Sequence, residues 1–149
     1  MEFDEICRRI PHRPPFLWLD KVISLEGSEV LAEKLIPTDL ELFQGHYPEY
    51  PLMPGVLLCE AVFQAGALLL SELAAKEKEG GGGVPVLTRI YNARFKRQVR
   101  PGDTVQLKAG LIEKIGPVWM LKGKALLNGK TAVSVEFGCT FSRAGSDSI

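Results

Sequence analysis

An excess of charge of either sign is the first thing the chain lacks: 18 Lys and Arg stand against 18 Asp and Glu in 149 residues. A balanced chain carries no general footprint for nucleic acid or an anionic membrane, so neither is expected as a partner. Cysteine is scarce, and Cys7, Cys59 and Cys139 are odd in number and far apart. That spacing fits neither a disulfide framework nor a metal site, and it agrees with a reducing, cytoplasmic setting. Histidine is scarcer still, with His12 and His46 the only imidazoles. The opening Met-Glu-Phe-Asp-Glu is acidic where a secretory signal is basic and apolar, so no targeting segment is read there. Also missing is an uninterrupted apolar run of about 20 residues, the length a membrane span needs. The most apolar stretch, residues 55–70, is broken by Glu60 and Gln64. The length gives one domain, residues 1–149, with a small polar tail at 144–149 that is expected to fray.

What is present is organised around residues 43–73, FQGHYPEYPLMPGVLLCEAVFQAGALLLSEL. A helix apolar on every side must be buried on every side. Pro54 suits a first helical position, where its missing N–H has no intrahelical partner and its φ is already near helical. A buried helix is therefore predicted from Pro54 to about residues 74–76. Its lone carboxylate, Glu60, is conspicuous, because unpaired Glu is almost never fully buried and desolvation disfavours its charge. Upstream, His46 ends a Phe-Gln-Gly-His turn, and the prolines of YPEYPLMPG stiffen the loop between them. The helix start leaves the N–H groups of Gly55 and Val56 free, with the positive end of the helix dipole behind them. A potential base, a potential acid and an anion-stabilising pair of amides thus fall in one short segment.

In chain order, Phe3, Ile6, Cys7 and Ile10 recur at helical spacing, with acidic residues early and Arg8-Arg9 late. This predicts a short amphipathic helix that Pro11 stops. Residues 17–25 and 30–36 flank Glu26-Gly27-Ser28 as a hairpin. After the central helix come Lys76-Glu77-Lys78-Glu79 and four glycines, Gly80 to Gly83. A phosphate-cradling loop needs a strand before it and a helix after it; here the order is reversed, so a flexible connection is read. Residues 86–91 and 94–99 read as one long or bent strand, and residues 104–112 alternate, with Val105, Leu107, Ala109 and Leu111 on one face. Turns fall at Pro101-Gly102-Asp103 and Gly116-Pro117, and Asn128-Gly129 joins strands at 118–127 and 131–141. One long helix and about six antiparallel strands bury each other only if the sheet curls around the helix. A single copy would leave part of the helix uncovered, so a dimer is expected, with helices close together and sheets joined edge to edge.

The segment GHYPEYPLMPGVLLCEAVFQAG closely resembles the active-site segment of the bacterial (3R)-hydroxyacyl-acyl-carrier-protein dehydratases of the Z type, the FabZ family. PHRPPFLWLDKV, ARFKRQVRPGD and GPVWMLKGKALLNGK extend the likeness over nearly the whole chain, with Pro14 where an aromatic is common. The resemblance implies an α+β hot-dog fold, one long helix wrapped by a curved antiparallel sheet. It implies dehydration of a 3-hydroxyacyl thioester to the trans-2-enoyl product in type II fatty acid biosynthesis, without metal or organic cofactor. The catalytic pair carried over is His46 as base and Glu60 as acid, and the oxyanion would lie at the Gly55 amide with Val56. The A-type dehydratase-isomerases carry Asp at the helix position, so Glu60 favours the Z type. Glu49, Tyr50 and Cys59 depart from the family pattern, and they bear on loop shape and substrate fit more than on chemistry.

The resemblance further implies a substrate held on the phosphopantetheine of an acidic acyl carrier protein, and a homodimer whose His46 faces the partner's Glu60, such dimers assembling into trimers. Leu52, Met53, Phe63 and Phe95 are candidates for an acyl tunnel, and each also fits plain core. Arg94, Lys96, Arg97 and Arg100 make either a carrier-docking patch or a solvated strand face. Tyr47 and Tyr50 fit a gate or ordinary packing. His12 reads as a loop histidine fixing the turn between helix and first strand, the alternative being a second catalytic histidine. A thioesterase of this fold would lack the Gly-His-x-Pro turn with a helix Glu downstream, and a silent binding module would have no need of a buried acid.

Overall fold

The computed structural model describes residues 1–77 and 83–142. Two helices, α1 (Phe3–Arg9) and α2 (Gly55–Ala75), and six strands make up the domain. The strands are β1 (Lys21–Glu26), β2 (Glu29–Leu35), β3 (Val84–Phe95), β4 (Thr104–Ile115), β5 (Val118–Leu127) and β6 (Lys130–Ser142). They form one antiparallel sheet in the order β1-β2-β4-β5-β6-β3. The sheet packs around α2, which touches β2, β3, β4, β5 and β6. This is the hot-dog arrangement.

α2 is long and apolar enough to cross a bilayer by length and composition alone, and here it is the core of the protein. From Leu58 to Leu70 every residue except Glu60 is buried. The sheet supplies the enclosure through its period of two: Val105, Leu107 and Ala109 of β4 and Leu121 and Ala125 of β5 point inward, while Lys108, Lys122 and Lys124 point out. Curvature comes from irregularities where β3 pairs with β6, at Leu87/Arg89 and Tyr91/Arg94, and where β4 pairs with β5, at Leu111/Glu113. The Asn128-Gly129 hairpin has both residues at positive φ, 52° and 78°, as a tight two-residue turn between twisted strands requires.

Several expectations shift by a turn or a strand end. The first strand begins at Lys21 rather than residue 17, because the Trp18 N–H donates to the Gln64 side chain at 2.8 Å and not to a neighbouring strand. Pro54 caps α2 in an extended conformation (ψ 132°), and the helix proper starts at Gly55. β3 is the single bent strand expected but ends at Phe95; beyond it the N–H groups of Lys96 and Arg97 both donate to the Ala132 carbonyl. A 3-10 turn at Glu41–Gln44 had no clear sequence signal. The glycine connection lies, for residues 78–82, outside the described residues, as does the tail. Within one chain the middle of α2 is covered, whereas its first turn is not: Val56 is 69% exposed, and nearby at the end of β3 Phe95 is 56% exposed.

Close approach of helix and sheet depends on Gly66 and Gly123. A Cβ at Gly66 would lie 2.7 Å from Cζ of the fully buried Phe137, and one at Gly123 would lie 2.5 Å from both the Lys108 carbonyl and Val62 Cγ1. Gly66→Ala should therefore destabilise the protein. Overpacking costs about 1–3 kcal/mol, and the roughly 1 kcal/mol of helix propensity that alanine gains offsets only part of it. A melting temperature lower by roughly 2–8 °C is expected in thermal unfolding; an unchanged or higher one would mean that the Phe137 ring moves aside without cost.

Candidate active site

His46 and Glu60 are held by different means. The His46 loop closes on itself: the Leu52 N–H donates to the His46 carbonyl at 3.0 Å, and His46 Nδ1 lies 2.9 Å from the Leu52 carbonyl. Since that carbonyl only accepts, Nδ1 carries the hydrogen and Nε2 keeps the free lone pair. The ring stacks on Tyr47, with centroids 4.3 Å apart. The Met53 N–H donates to the Val99 carbonyl at 2.8 Å and pins the far end of the loop to the segment after β3.

Glu60 projects from the second turn of α2 and is 23% exposed at its side chain. Gln64, one helical turn on and only 1% exposed, saturates its own amide there. Its Oε1 accepts from the Trp18 N–H at 2.8 Å, and its Nε2 donates to the Phe16 carbonyl at 3.0 Å and to Glu60 Oε1 at 3.2 Å. Burial pushes the Glu60 carboxyl above the usual range, and the Gln64 bond pulls the other way. Glu60 in turn bears on the buried Cys139 thiol, which burial first and the Glu60 charge second push up to about 12.

The remaining candidates separate. Leu57 and Leu58 both donate to the Pro54 carbonyl, at 3.0 and 3.2 Å, which leaves the Gly55 and Val56 N–H groups as the outward pair at the helix start. A Cβ at Gly55 would run into the ring of Phe95, so Phe95 covers the helix start and is not core. Met53 and Phe63 are buried, Phe63 against Phe137 at 4.8 Å, and Leu52 is half-buried. Two of the four cationic candidates share a surface hollow. Arg94 and Lys96 line a hollow of about 590 Å³ on the outer face of the sheet with Lys108, Lys122 and Lys124, and Arg97 and Arg100 do not. Arg100 instead donates to the Tyr50 hydroxyl at 2.7 Å, and that hydroxyl donates to Gln98 Oε1 at 2.7 Å. Tyr50 is thereby tied to the segment after β3.

Two features escaped the sequence. Gln64 had the signal of i, i+4 spacing from Glu60, but read only as an interruption of the apolar run. His12 does not fix its turn. Arg13 does so, through bonds to the carbonyls of Cys7, Ile10 and His12 at 2.7, 2.8 and 2.7 Å, and His12 Nε2 instead lies 3.7 Å from Glu60 Oε1. Among the described residues of one chain, no hydrogen bond or ion pair joins His46 to Glu60. No cluster of potential metal ligands occurs among them either.

A curved antiparallel sheet wrapped around an apolar helix defines a hot-dog domain. Residues 10–136 match the family described as FabA-like domain. The chain is 41% identical over 137 residues to the 3-hydroxyacyl-[acyl-carrier-protein] dehydratase FabZ of Oceanobacillus iheyensis, covering 91% of this chain and 95% of that one. It is 43% identical over 136 residues to the FabZ of Clostridium perfringens, with coverage of 91% and 95%. The chain belongs to the FabZ family of 3-hydroxyacyl-[acyl-carrier-protein] dehydratases. Among solved structures it is similar to the dehydratase heterocomplex ApeI:P of Xenorhabdus doucetiae, with a TM-score of 0.75, 17% identity, and 93% and 91% of the two chains covered. The TT0310 protein of Thermus thermophilus follows at 0.64 and 18%, with 88% and 100% covered. At such identities the likeness speaks for the fold alone.

The raised carboxyl has a consequence for stability. A group that binds its proton more tightly folded than unfolded makes the native state lose stability as pH rises. Wild type should therefore lose unfolding free energy, relative to Glu60→Gln, as pH climbs from the ordinary Glu range through the raised value of the folded protein. Urea unfolding of both proteins across acid and neutral pH measures this; a difference that stays flat with pH would contradict a raised Glu60.

Proposed function

We propose that this protein dehydrates (3R)-3-hydroxyacyl thioesters carried on acyl carrier protein to trans-2-enoyl thioesters, as a cytoplasmic hydro-lyase of type II fatty acid biosynthesis. The observation that carries this reading is the contrast between its two proton carriers: an imidazole whose Nδ1 is committed to a carbonyl, and a carboxyl that burial inclines to keep its proton. Dehydration needs both at once. The C2–H of a thioester is a weak acid, and hydroxide is a poor leaving group from C3. Nε2 of His46 takes the C2 proton, Glu60 delivers a proton to the C3 oxygen so that water departs, and the Gly55 N–H, with Val56, receives the enolate charge at the thioester oxygen. The electron pair left by the C2 proton forms the C2=C3 double bond as the C3–O bond breaks, and the proton transfers and hydrogen bonds that assist this require no metal or organic cofactor.

The absence of any bond between His46 and Glu60 within the described residues of a chain supports a site shared across a homodimer, His46 of one chain opposite the partner's Glu60. The exposed Val56 and Phe95 and the unpaired β3 edge support the same assembly, because apolar side chains and a free strand edge both call for cover. A trimer of such dimers extends the reading by family likeness. Leu52 and Phe95, beside the loop and the helix start, are the tunnel candidates that one chain leaves accessible, while Met53 and Phe63 back them from the core.

Hydration of crotonyl thioesters, followed by the loss of ultraviolet absorbance, tests the chemistry in reverse. His46→Ala and Glu60→Gln should each lower turnover by about 10²–10⁴-fold with the fold intact. Mixing the two inactive homodimers under subunit exchange should restore activity through one intact site per heterodimer. No recovery would count against shared sites, and an inactive wild type would remove the dehydratase reading.

Docking of the acidic carrier falls most naturally to the outer hollow, where Arg94, Lys96 and three lysines outnumber Glu29 and Glu136. Lys108 stands directly opposite Lys124, a like-charge pairing that costs stability and favours an anionic partner. Charge reversal at Arg94 and Lys96 should raise KM for carrier-bound substrate by about tenfold, on the scale of electrostatic steering, and leave KM for a short pantetheine analogue unchanged. Equal effects on both substrates would sink the docking assignment.

A further inference from the structure

The loop after α1 brings His12 to the acid, and no part of the two-group mechanism uses it. Its Nε2 lies 3.7 Å from Glu60 Oε1, its side chain is largely buried, and its Nδ1 is buried without a hydrogen-bond partner among the described residues. A buried nitrogen left without a hydrogen-bond partner is destabilising. A histidine that merely filled a turn would have no reason to carry that cost, and the turn is already closed by the three carbonyl contacts of Arg13.

Glu60 is thus approached on the same oxygen from two directions in the chain. Gln64 Nε2 donates to Oε1 from the helix, and Oε1 is also the oxygen that His12 Nε2 approaches most closely from the loop. We propose that His12 is a positioning residue for the dehydration, which with Gln64 holds Oε1 of Glu60 and so presents Oε2, with its proton, to the C3 hydroxyl of the substrate. The inference rests on the dehydratase reading above and adds to it a third side chain acting through the acid. The present separation is longer than a hydrogen bond, and contacts of this kind are often long in an unliganded site and tighten when substrate fills it.

The electrostatics suit the role. Burial, and after it the neighbouring Arg13 charge, push the His12 imidazole below its ordinary value, so it stays neutral and offers an N–H instead of drawing the proton away from Glu60. The other groups facing Glu60 are the neutral amide of Gln64 and the Cys139 thiol. Neither can replace the imidazole: Gln64 is already saturated by Trp18, Phe16 and Glu60, and the thiol is a weak donor.

The test uses the full chain and crotonyl thioester hydration. His12→Phe should lower kcat by about 10–100-fold, the scale of a misplaced catalytic group, with KM for the thioester within about twofold of wild type. His12→Gln, whose carboxamide N–H reaches towards the place of Nε2, should recover most of that loss. In a Glu60→Asp background, where the carboxyl is withdrawn by one methylene from His12, the same His12→Phe change should cost less than about threefold, because coupled residues are not additive. Thermal unfolding of each variant reports the folded fraction. The proposal is overturned if His12→Phe leaves kcat per folded enzyme unchanged, if the effect falls on KM alone, if His12→Gln is as impaired as His12→Phe, or if the loss is undiminished in the Glu60→Asp background. Failure of the underlying reading looks different: a wild type without hydratase activity, or a Glu60→Gln variant as active as wild type, would remove the reaction itself and His12 with it.

Discussion

A helix with no polar face is stable in water only where something surrounds it, and the remainder of this fold answers that constraint. The run from Leu58 to Leu70 leaves no side of α2 for solvent, so a flat sheet against one face would not suffice. The six strands therefore curl. Their inward residues are small or branched, Val105, Leu107, Ala109 and Ala125 among them, and the pairing irregularities in β3 and β4 bend the sheet as it passes the helix. Gly66 and Gly123 allow the remaining approach, because side chains there would meet Phe137, Val62 and the backbone of β4. Enclosure by one chain stops at the first turn of the helix. That turn carries the free amides and the exposed Val56, next to the unpaired edge of the sheet.

Within that enclosure a polar side chain has to be satisfied or used. Gln64 is satisfied in full: it takes the Trp18 N–H, gives its own hydrogens to Phe16 and Glu60, and by doing so draws residues 16–18 out of the strand they would otherwise extend. Glu60 is not satisfied to the same degree. One amide bond does not replace the hydration of a carboxylate, so burial raises the proton affinity of Glu60 above that of an ordinary glutamate. The apolar surround that fixes the fold thus also sets the proton affinity of the acid, so packing and chemistry are not separable at this position.

Much of this was legible in the sequence, for reasons that can be traced to particular residues. An all-round apolar helix, a lone carboxylate in it and a proline-stiffened histidine loop ahead of it are local patterns, and the structure places these elements where the patterns put them, with Pro54 as the cap rather than the first helical residue. The Asn128-Gly129 turn and the alternation of β4 were equally local. What stayed hidden was tertiary. Nothing in PHRPPF says that Arg13 closes the turn and frees His12 to face a helix far along the chain. The four clustered cations read either as a docking patch or as a solvated strand face; in the structure Arg94 and Lys96 line the outer hollow, while Arg100 bonds the Tyr50 hydroxyl. Tyr50 itself, a departure from the family pattern, is bound to Gln98 and Arg100 at the far side of the loop, a partnership that no spacing rule encodes.

In the proposed reaction, the base His46 and the acid Glu60 must not touch before substrate binds. An imidazole and a carboxylic acid in direct contact would exchange the proton, leaving imidazolium and carboxylate, and neither could then perform its step on a neutral substrate. Keeping the two useful means keeping them apart until substrate lies between them. In each chain the Leu52 carbonyl occupies His46 Nδ1 and the Glu60 carboxyl is turned to Gln64, so each group has a partner of its own before the two chains of the proposed dimer face each other. His12 is the apparent exception, an imidazole beside the acid in the same chain. It is compatible with the rule only because burial and Arg13 both disfavour its protonated form. An imidazole that does not accept the proton of Glu60 cannot quench the acid; it can only orient it.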